Sequence, residues 1–160
     1  MPRGARILLD NACYHIINRG NQKQAIFLEE NDYKDFLRLL KHFKNKHGFK
    51  LFGYCLMPNH IHLIMQPKES KDLSEIIKVL TQTYTLSFKK KYNKPGHLWQ
   101  GRFKSKIVMK DNYFLECVYY VEMNPVRARL VSSPAEYLWS SYRERVLVTD
   151  AYLIDLPDCT

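Results

Sequence analysis

The run Leu56-Met57-Pro58-Asn59-His60-Ile61-His62-Leu63-Ile64-Met65 limits the possible folds more than any other stretch of this chain. It is apolar throughout except for a Pro-Asn break and two histidines. Pro-Asn favours a tight turn, so the run reads as a hairpin that joins a strand over 49–57 to a strand over 60–66. Side chains alternate across a strand, so His60, His62, Ile64 and Gln66 share one face and Ile61, Leu63 and Met65 share the other. The apolar set must be covered by something. The two imidazoles then stand side by side on the opposite face, close enough to hold one divalent metal ion.

The flanking segments supply the cover. Cys13-Tyr14-His15-Ile16-Ile17-Asn18 predicts a first strand, closed by the turn Arg19-Gly20-Asn21. A helix is expected over 31–47, capped by Asn31 or Asp32, striped by Phe36, Leu37, Leu40 and Phe43, and stopped by Gly48. A second helix is expected over 73–92, with Leu73, Ile76, Ile77, Leu80, Tyr84 and Phe88 at helical spacing. A fourth strand over 102–109, a third helix over 111–124 and a short helical piece after Pro125 complete the pattern. The order β-α-β-β-α-β predicts an α+β fold of ferredoxin-like type, with an antiparallel sheet, two helices on one face and the other face open. One domain is expected over 1–160, with a core over about 12–130 and a C-terminal helical extension over about 131–160.

The chain has 160 residues, a formal net charge of +9 and a pI near 9.4. A balance this basic points to a polyanionic partner, and nucleic acid is the commonest one. No segment reads as a signal peptide or a membrane span. Cys13, Cys55, Cys117 and Cys159 show no metal or disulfide spacing, so reduced thiols and a cytoplasmic location are expected.

On the third helix, Phe114, Val118 and Val121 cluster on one side at about 100° per residue. Tyr113, Glu116, Tyr120 and Asn124 lie roughly opposite. Tyr119 falls toward the Leu115 side and is placed for packing. A tyrosine hydroxyl, with a pKa of about 10, is a poor nucleophile until a nearby cation favours its phenolate. A divalent ion on the histidine pair would do this and would also polarise a phosphate oxygen. The parts fit tyrosine attack on a DNA phosphodiester.

Four separated segments carry a resemblance: Tyr14-His15-Ile16-Ile17-Asn18-Arg19-Gly20-Asn21, Tyr54 to His62, Leu98-Trp99-Gln100-Gly101-Arg102-Phe103-Lys104, and Tyr120-Val121-Glu122-Met123-Asn124-Pro125-Val126-Arg127-Ala128. Together they resemble the single-tyrosine HUH transposases, most closely the branch associated with repetitive extragenic palindromes (REP). The resemblance runs from about Tyr14 to Tyr142. It implies a DNA transposition enzyme that cuts and joins single-stranded or hairpin DNA. Tyr120 would be the nucleophile, forming a 5′-phosphotyrosine link and releasing a 3′-hydroxyl. His60, His62 and Asn124 would be the metal ligands, for Mg²⁺ or Mn²⁺. Related insertion-sequence transposases carry glutamine where this chain has Asn124. Monomer and homodimer both stay open.

Arg19, Lys23, Arg102, Lys104, Lys106, Arg127 and Arg129 surround the expected site. Arg102, Lys104 and Lys106 would form a phosphate-contacting stripe on one strand face, and Trp99 and Phe103 would stack unpaired bases. Trp99 reads equally well as core. Asn124 precedes a proline and reads equally as a helix N-cap. His15 reads as a structural or DNA-facing histidine, Glu116 as a solvated carboxylate, and Lys89-Lys90-Lys91 as a solvated helix end. Two rivals remain: an HUH replication initiator or relaxase, and a non-catalytic nucleic-acid-binding module on the same fold.

Overall fold

The computed structural model describes residues 4–109, 111–147 and 153–157. Its order is β1 (Cys13–Arg19), α1 (Glu30–His47), β2 (Lys50–Met57), β3 (His60–Gln66), α2 (Leu73–Tyr92), β4 (Lys104–Val108), α3 (Asn112–Glu122), α4 (Asn124–Arg127) and α5 (Tyr142–Val146). The strands form one antiparallel sheet in the order β2-β3-β1-β4. This is the expected ferredoxin-like arrangement. Cys159 lies outside the described residues; Cys13, Cys55 and Cys117 form no disulfide among them. Among the described residues, no helix is long and apolar enough to cross a membrane.

Strand alternation divides the core as expected. Tyr14 and Ile16 of β1, with Ile61, Leu63 and Met65 of β3, join the α1 and α2 stripes in one cluster. Ile61, Leu63 and Met65 are fully buried. At about 1.5–3 kcal/mol for each such side chain, this alternation alone fixes which face carries the histidines.

Three expectations about the elements need correction. The α1 cap is Glu29, not Asn31 or Asp32, and Asp32 at the third helical position accepts from the backbone N–H groups of Leu28 and Glu29. Lys91 is no solvated helix end: it pairs with Glu29 and Asp32, tying the end of α2 to the start of α1. β4 begins at Lys104, so Arg102 and Phe103 lie outside it. Trp99 bridges to Gly20 and Gln100 N–H bonds the Arg19 carbonyl, but Gly101 then turns into the left-handed region (φ 69°) and interrupts the pairing.

The far face is also less open than expected. Phe114, Val118 and Val121 of α3 pack on Phe52, Cys55, Met57 and Ile64 there. The C-terminal extension then covers the β2 edge. Leu56 N–H bonds the Trp139 carbonyl (2.7 Å), Ser141 N–H bonds the Tyr54 carbonyl (3.0 Å) and Asp155 N–H bonds the Leu51 carbonyl (2.6 Å). An uncovered edge strand would offer these groups to another chain. Lys104 and Lys106 of β4 remain exposed on the far face.

Candidate metal and nucleophile site

Three of the four motif segments meet at one end of the sheet through backbone hydrogen bonds. Gly20 N–H bonds the Asn59 carbonyl and Ile26 N–H bonds the Pro58 carbonyl, both at 2.8 Å. Asn21 N–H bonds the Leu98 carbonyl at 2.8 Å. The Pro58-Asn59 turn that presents the histidines is thus clamped by the β1 exit loop, and that loop by the segment before β4.

His60 and His62 stand on the same face, with ring centroids 5.0 Å apart. His60 Nδ1 lies 2.7 Å from Asn59 Oδ1, and His62 Nδ1 lies 2.9 Å from His15 Nε2. Both Nδ1 atoms are therefore engaged. His62 Nε2 is buried with no partner, which is an uncommon state for a polar atom. Burial pushes His62 down to about 3, helped by His15, His60, Arg127 and Arg19. Burial also lowers His60, with Arg19 adding to the effect. Neutral imidazoles with bare Nε2 atoms are the form a metal ion requires.

Antiparallel register explains the neighbours. Arg19 is the direct cross-strand partner of His60, and Ile17 that of His62. Lys104 lies opposite Ile17 and Lys106 opposite His15, so both lysines share the histidine face. The expected stripe therefore keeps Lys104 and Lys106 but loses Arg102 as a strand member. Arg102 instead joins Arg19 and Lys104 around a hollow of about 170 Å³.

The other expected DNA contacts scatter. Lys23 is exposed beside the turn, and its carbonyl accepts from Asn59 Nδ2 at 3.4 Å. Arg129 is exposed just past α4. Trp99 and Phe103 lie toward α2. The Trp99 indole N–H bonds Thr85 Oγ1 (2.9 Å), and the Arg6 guanidinium sits 3.6 Å from the Phe103 ring centre. Both aromatics pack against the α1/α2 core.

Tyr120 is 52% exposed on α3, as the helix phase predicts. Tyr119 is equally exposed, so the expected packing role for it does not hold. What separates the two is Arg127. Its guanidinium lies 3.9 Å from the Tyr120 ring centre and donates to the Tyr120 carbonyl at 2.5 Å.

Asn124 is not an N-cap. The α4 cap is Met123, with no side-chain cap bond. Pro125 has no N–H, so the Val121 carbonyl loses its normal helical donor. Asn124 Nδ2 supplies the missing bond at 3.0 Å. A carbonyl partner can only face the amide nitrogen, so Oδ1 is left as the acceptor end. Among the described residues, no group of three or more His, Cys, Asp and Glu side chains is arranged to hold an ion. Two imidazole nitrogens and an amide oxygen are donor types chemically suited to a divalent cation.

Sequence reasoning missed Glu122. It is fully buried, accepts from Ser141 Oγ at 2.7 Å and from Arg145 Nε at 3.1 Å, and pairs with Arg145 Nη2. It stands between Tyr120 and Asn124 and fastens that segment to α5. Only its position inside a packed helix face hinted at this. Glu116 is exposed, as expected for a solvated carboxylate.

Comparison with known proteins bears on the fold and the family. A Haemophilus influenzae protein, named provisionally as a REP-associated tyrosine transposase, is 28% identical over 127 residues, covering 72% of each chain. A solved structure of a REP-associated tyrosine transposase bound to a REP hairpin superposes with a TM-score of 0.77 at 18% identity, over 100% of this chain and 96% of that one. At that identity the likeness speaks for the fold. The model of the family described as IS200-like transposases matches residues 9–124. The chain belongs to the IS200-like transposase family.

Proposed function

We propose that this transposase cuts and rejoins single-stranded DNA beside a hairpin, with Tyr120 as nucleophile and His60, His62 and Asn124 as ligands of Mg²⁺ or Mn²⁺. The observation that carries the reading is the buried, partnerless Nε2 of His62 beside a His60 whose Nδ1 is likewise taken. A non-catalytic DNA-binding module gives that atom no purpose. When bound, the ion supplies Lewis acidity toward a phosphate oxygen and favours a phenolate nearby.

The remaining work falls to the chain. Lys104, Lys106 and Arg19 line the route across the histidine face and hold the DNA backbone by charge. Arg127 lies on the ring of Tyr120 and restrains its side chain. The Tyr120 Oη gives up its proton and attacks phosphorus, the bond from phosphorus to O3′ breaks, and the departing O3′ takes up a proton in exchange. The product is a 5′-phosphotyrosine and a free 3′-hydroxyl. The phosphodiester energy stays in the link, so rejoining needs no nucleotide cofactor. The hairpin carried by the structural relative motivates the substrate class.

The test is cleavage of a labelled hairpin with single-stranded flanks in the presence of Mn²⁺. Wild-type protein is expected to nick it, and His60→Ala to bind it without nicking. Equal nicking by His60→Ala, or nicking unaffected by a chelator, would rule out the metal role.

A further inference from the structure

We propose that His15 is a positioning residue for the metal site, one that fixes the His62 ring in the tautomer whose Nε2 lone pair is free. The inference rests on the metal-site reading and extends it to a residue outside the ligand set. His15 is buried, and its Nε2 lies 2.9 Å from His62 Nδ1. Antiparallel register puts them there: His62 pairs directly with Ile17, and His15 is two residues back on the same face of β1. Diagonal neighbours of this kind lie within reach of long side chains.

Proton counting gives the rest. A contact between two ring nitrogens holds a single proton. If His62 donates it from Nδ1, its Nε2 is bare and can bind a metal ion. If His15 donates it from Nε2, a neutral His62 must carry its own proton on Nε2, the buried atom with no partner. A metal ligand cannot carry a proton there. So His15 must be the acceptor, with its proton on Nδ1.

The neighbouring ligand follows the same design. Asn59 Oδ1 can only accept, so the 2.7 Å contact places the proton of His60 on Nδ1 and leaves Nε2 bare. The Asn59 amide is oriented by its Nδ2 bond to the Lys23 carbonyl. Each imidazole thus has its Nδ1 engaged by a buried or half-buried neighbour, which leaves Nε2 as its unengaged nitrogen. Outer partners of this kind set ring orientation and tautomer, and losing one costs about 10–100-fold in metal affinity.

Two variants and one spectrum test the role in the full chain. His15→Gln keeps an acceptor oxygen; His15→Leu removes it. Calorimetric titration with Mn²⁺ is expected to show about 10–100-fold weaker binding for His15→Leu and wild-type binding within about threefold for His15→Gln. Nitrogen-15 NMR of metal-free wild-type protein is expected to show His62 protonated on Nδ1. A His62 proton on Nε2, or a folded His15→Leu that binds Mn²⁺ like wild type, would overturn the role. Should His15→Leu fail to fold, the spectrum alone decides. If the wild-type protein shows the Nδ1 tautomer but binds no Mn²⁺, the metal-site reading falls and the proposal falls with it.

Discussion

Deleting Arg145 should destabilise this protein more than deleting Glu122, although the two share one ion pair. Glu122 is fully buried and accepts hydrogen bonds from Arg145 and Ser141. The Arg145 side chain keeps 24% of its exposure. Breaking a buried pair by removing one partner costs about 3–5 kcal/mol. Glu122→Ala leaves a guanidinium that can reach water, so the lower end applies, about 3 kcal/mol. Arg145→Ala leaves a fully buried carboxylate with only the Ser141 hydroxyl as partner, so the upper end applies, about 5 kcal/mol. Urea denaturation at pH 7 measures both, and the double variant Glu122→Leu/Arg145→Leu completes a cycle with an expected coupling of about 2 kcal/mol or more. Single losses both below about 1 kcal/mol, or additive effects, would refute the reasoning. So would a larger loss for Glu122→Ala.

Three further outcomes are expected. The first concerns acid stability. Burial pushes the Asp32 carboxyl up, but hydrogen bonds from Tyr92, Lys91, Leu28 and Glu29 outweigh it and hold the group below the ordinary carboxylate value. A depressed folded-state value adds stability that is present above the unfolded value of about 4 and is lost as pH falls through the folded one. Asp32→Asn should therefore flatten the decline in unfolding free energy below about pH 4, and an unchanged slope would contradict this. Second, Lys104→Ala/Lys106→Ala should reduce the salt slope of single-strand DNA binding by about 1.4, or about 0.7 per lost phosphate contact, measured by fluorescence anisotropy. An unchanged slope would take the DNA off the histidine face. Third, a Cβ at Gly20 would collide with the Gln24 carbonyl oxygen and meet Ile26 Cγ2 at 3.1 Å. Gly20→Ala should lower stability by about 1–3 kcal/mol by loosening the loop that clamps the Pro58-Asn59 turn, read by thermal unfolding.

Periodicity made some of this structure readable from sequence. The β3 and α2 bounds match the expectation residue for residue, because the Pro58-Asn59 turn fixes where 60–66 starts and a clean apolar stripe marks 73–92. The split of Ile61, Leu63 and Met65 from His60 and His62 follows from the same alternation. β4 was misjudged at its start because a single left-handed glycine, Gly101, interrupts a pairing that continues on both sides of it. The Asn124 amide turns its nitrogen to the Val121 carbonyl because Pro125 has no N–H to offer it, a dependence that periodicity does not record. The His15 contact with His62, the Asn59 bond to the Lys23 carbonyl and the burial of Glu122 beside Ser141 and Arg145 join segments distant in sequence, so no local pattern shows them. No local pattern encodes a diagonal neighbour across two strands. The exposure of Tyr119 shows the limit of a helical wheel, which gives phase but not what lies opposite each direction.

The central claim is that Tyr120, and no other tyrosine, joins covalently to DNA. Wild-type protein would be incubated with hairpin DNA and Mn²⁺, the adduct digested with trypsin, and the DNA-bearing peptide sequenced by mass spectrometry. The account predicts a nucleotide on Tyr120, with no adduct from Tyr120→Phe and a retained adduct from Tyr119→Phe. An adduct on Tyr119 or Tyr113, or one that survives Tyr120→Phe, would contradict it.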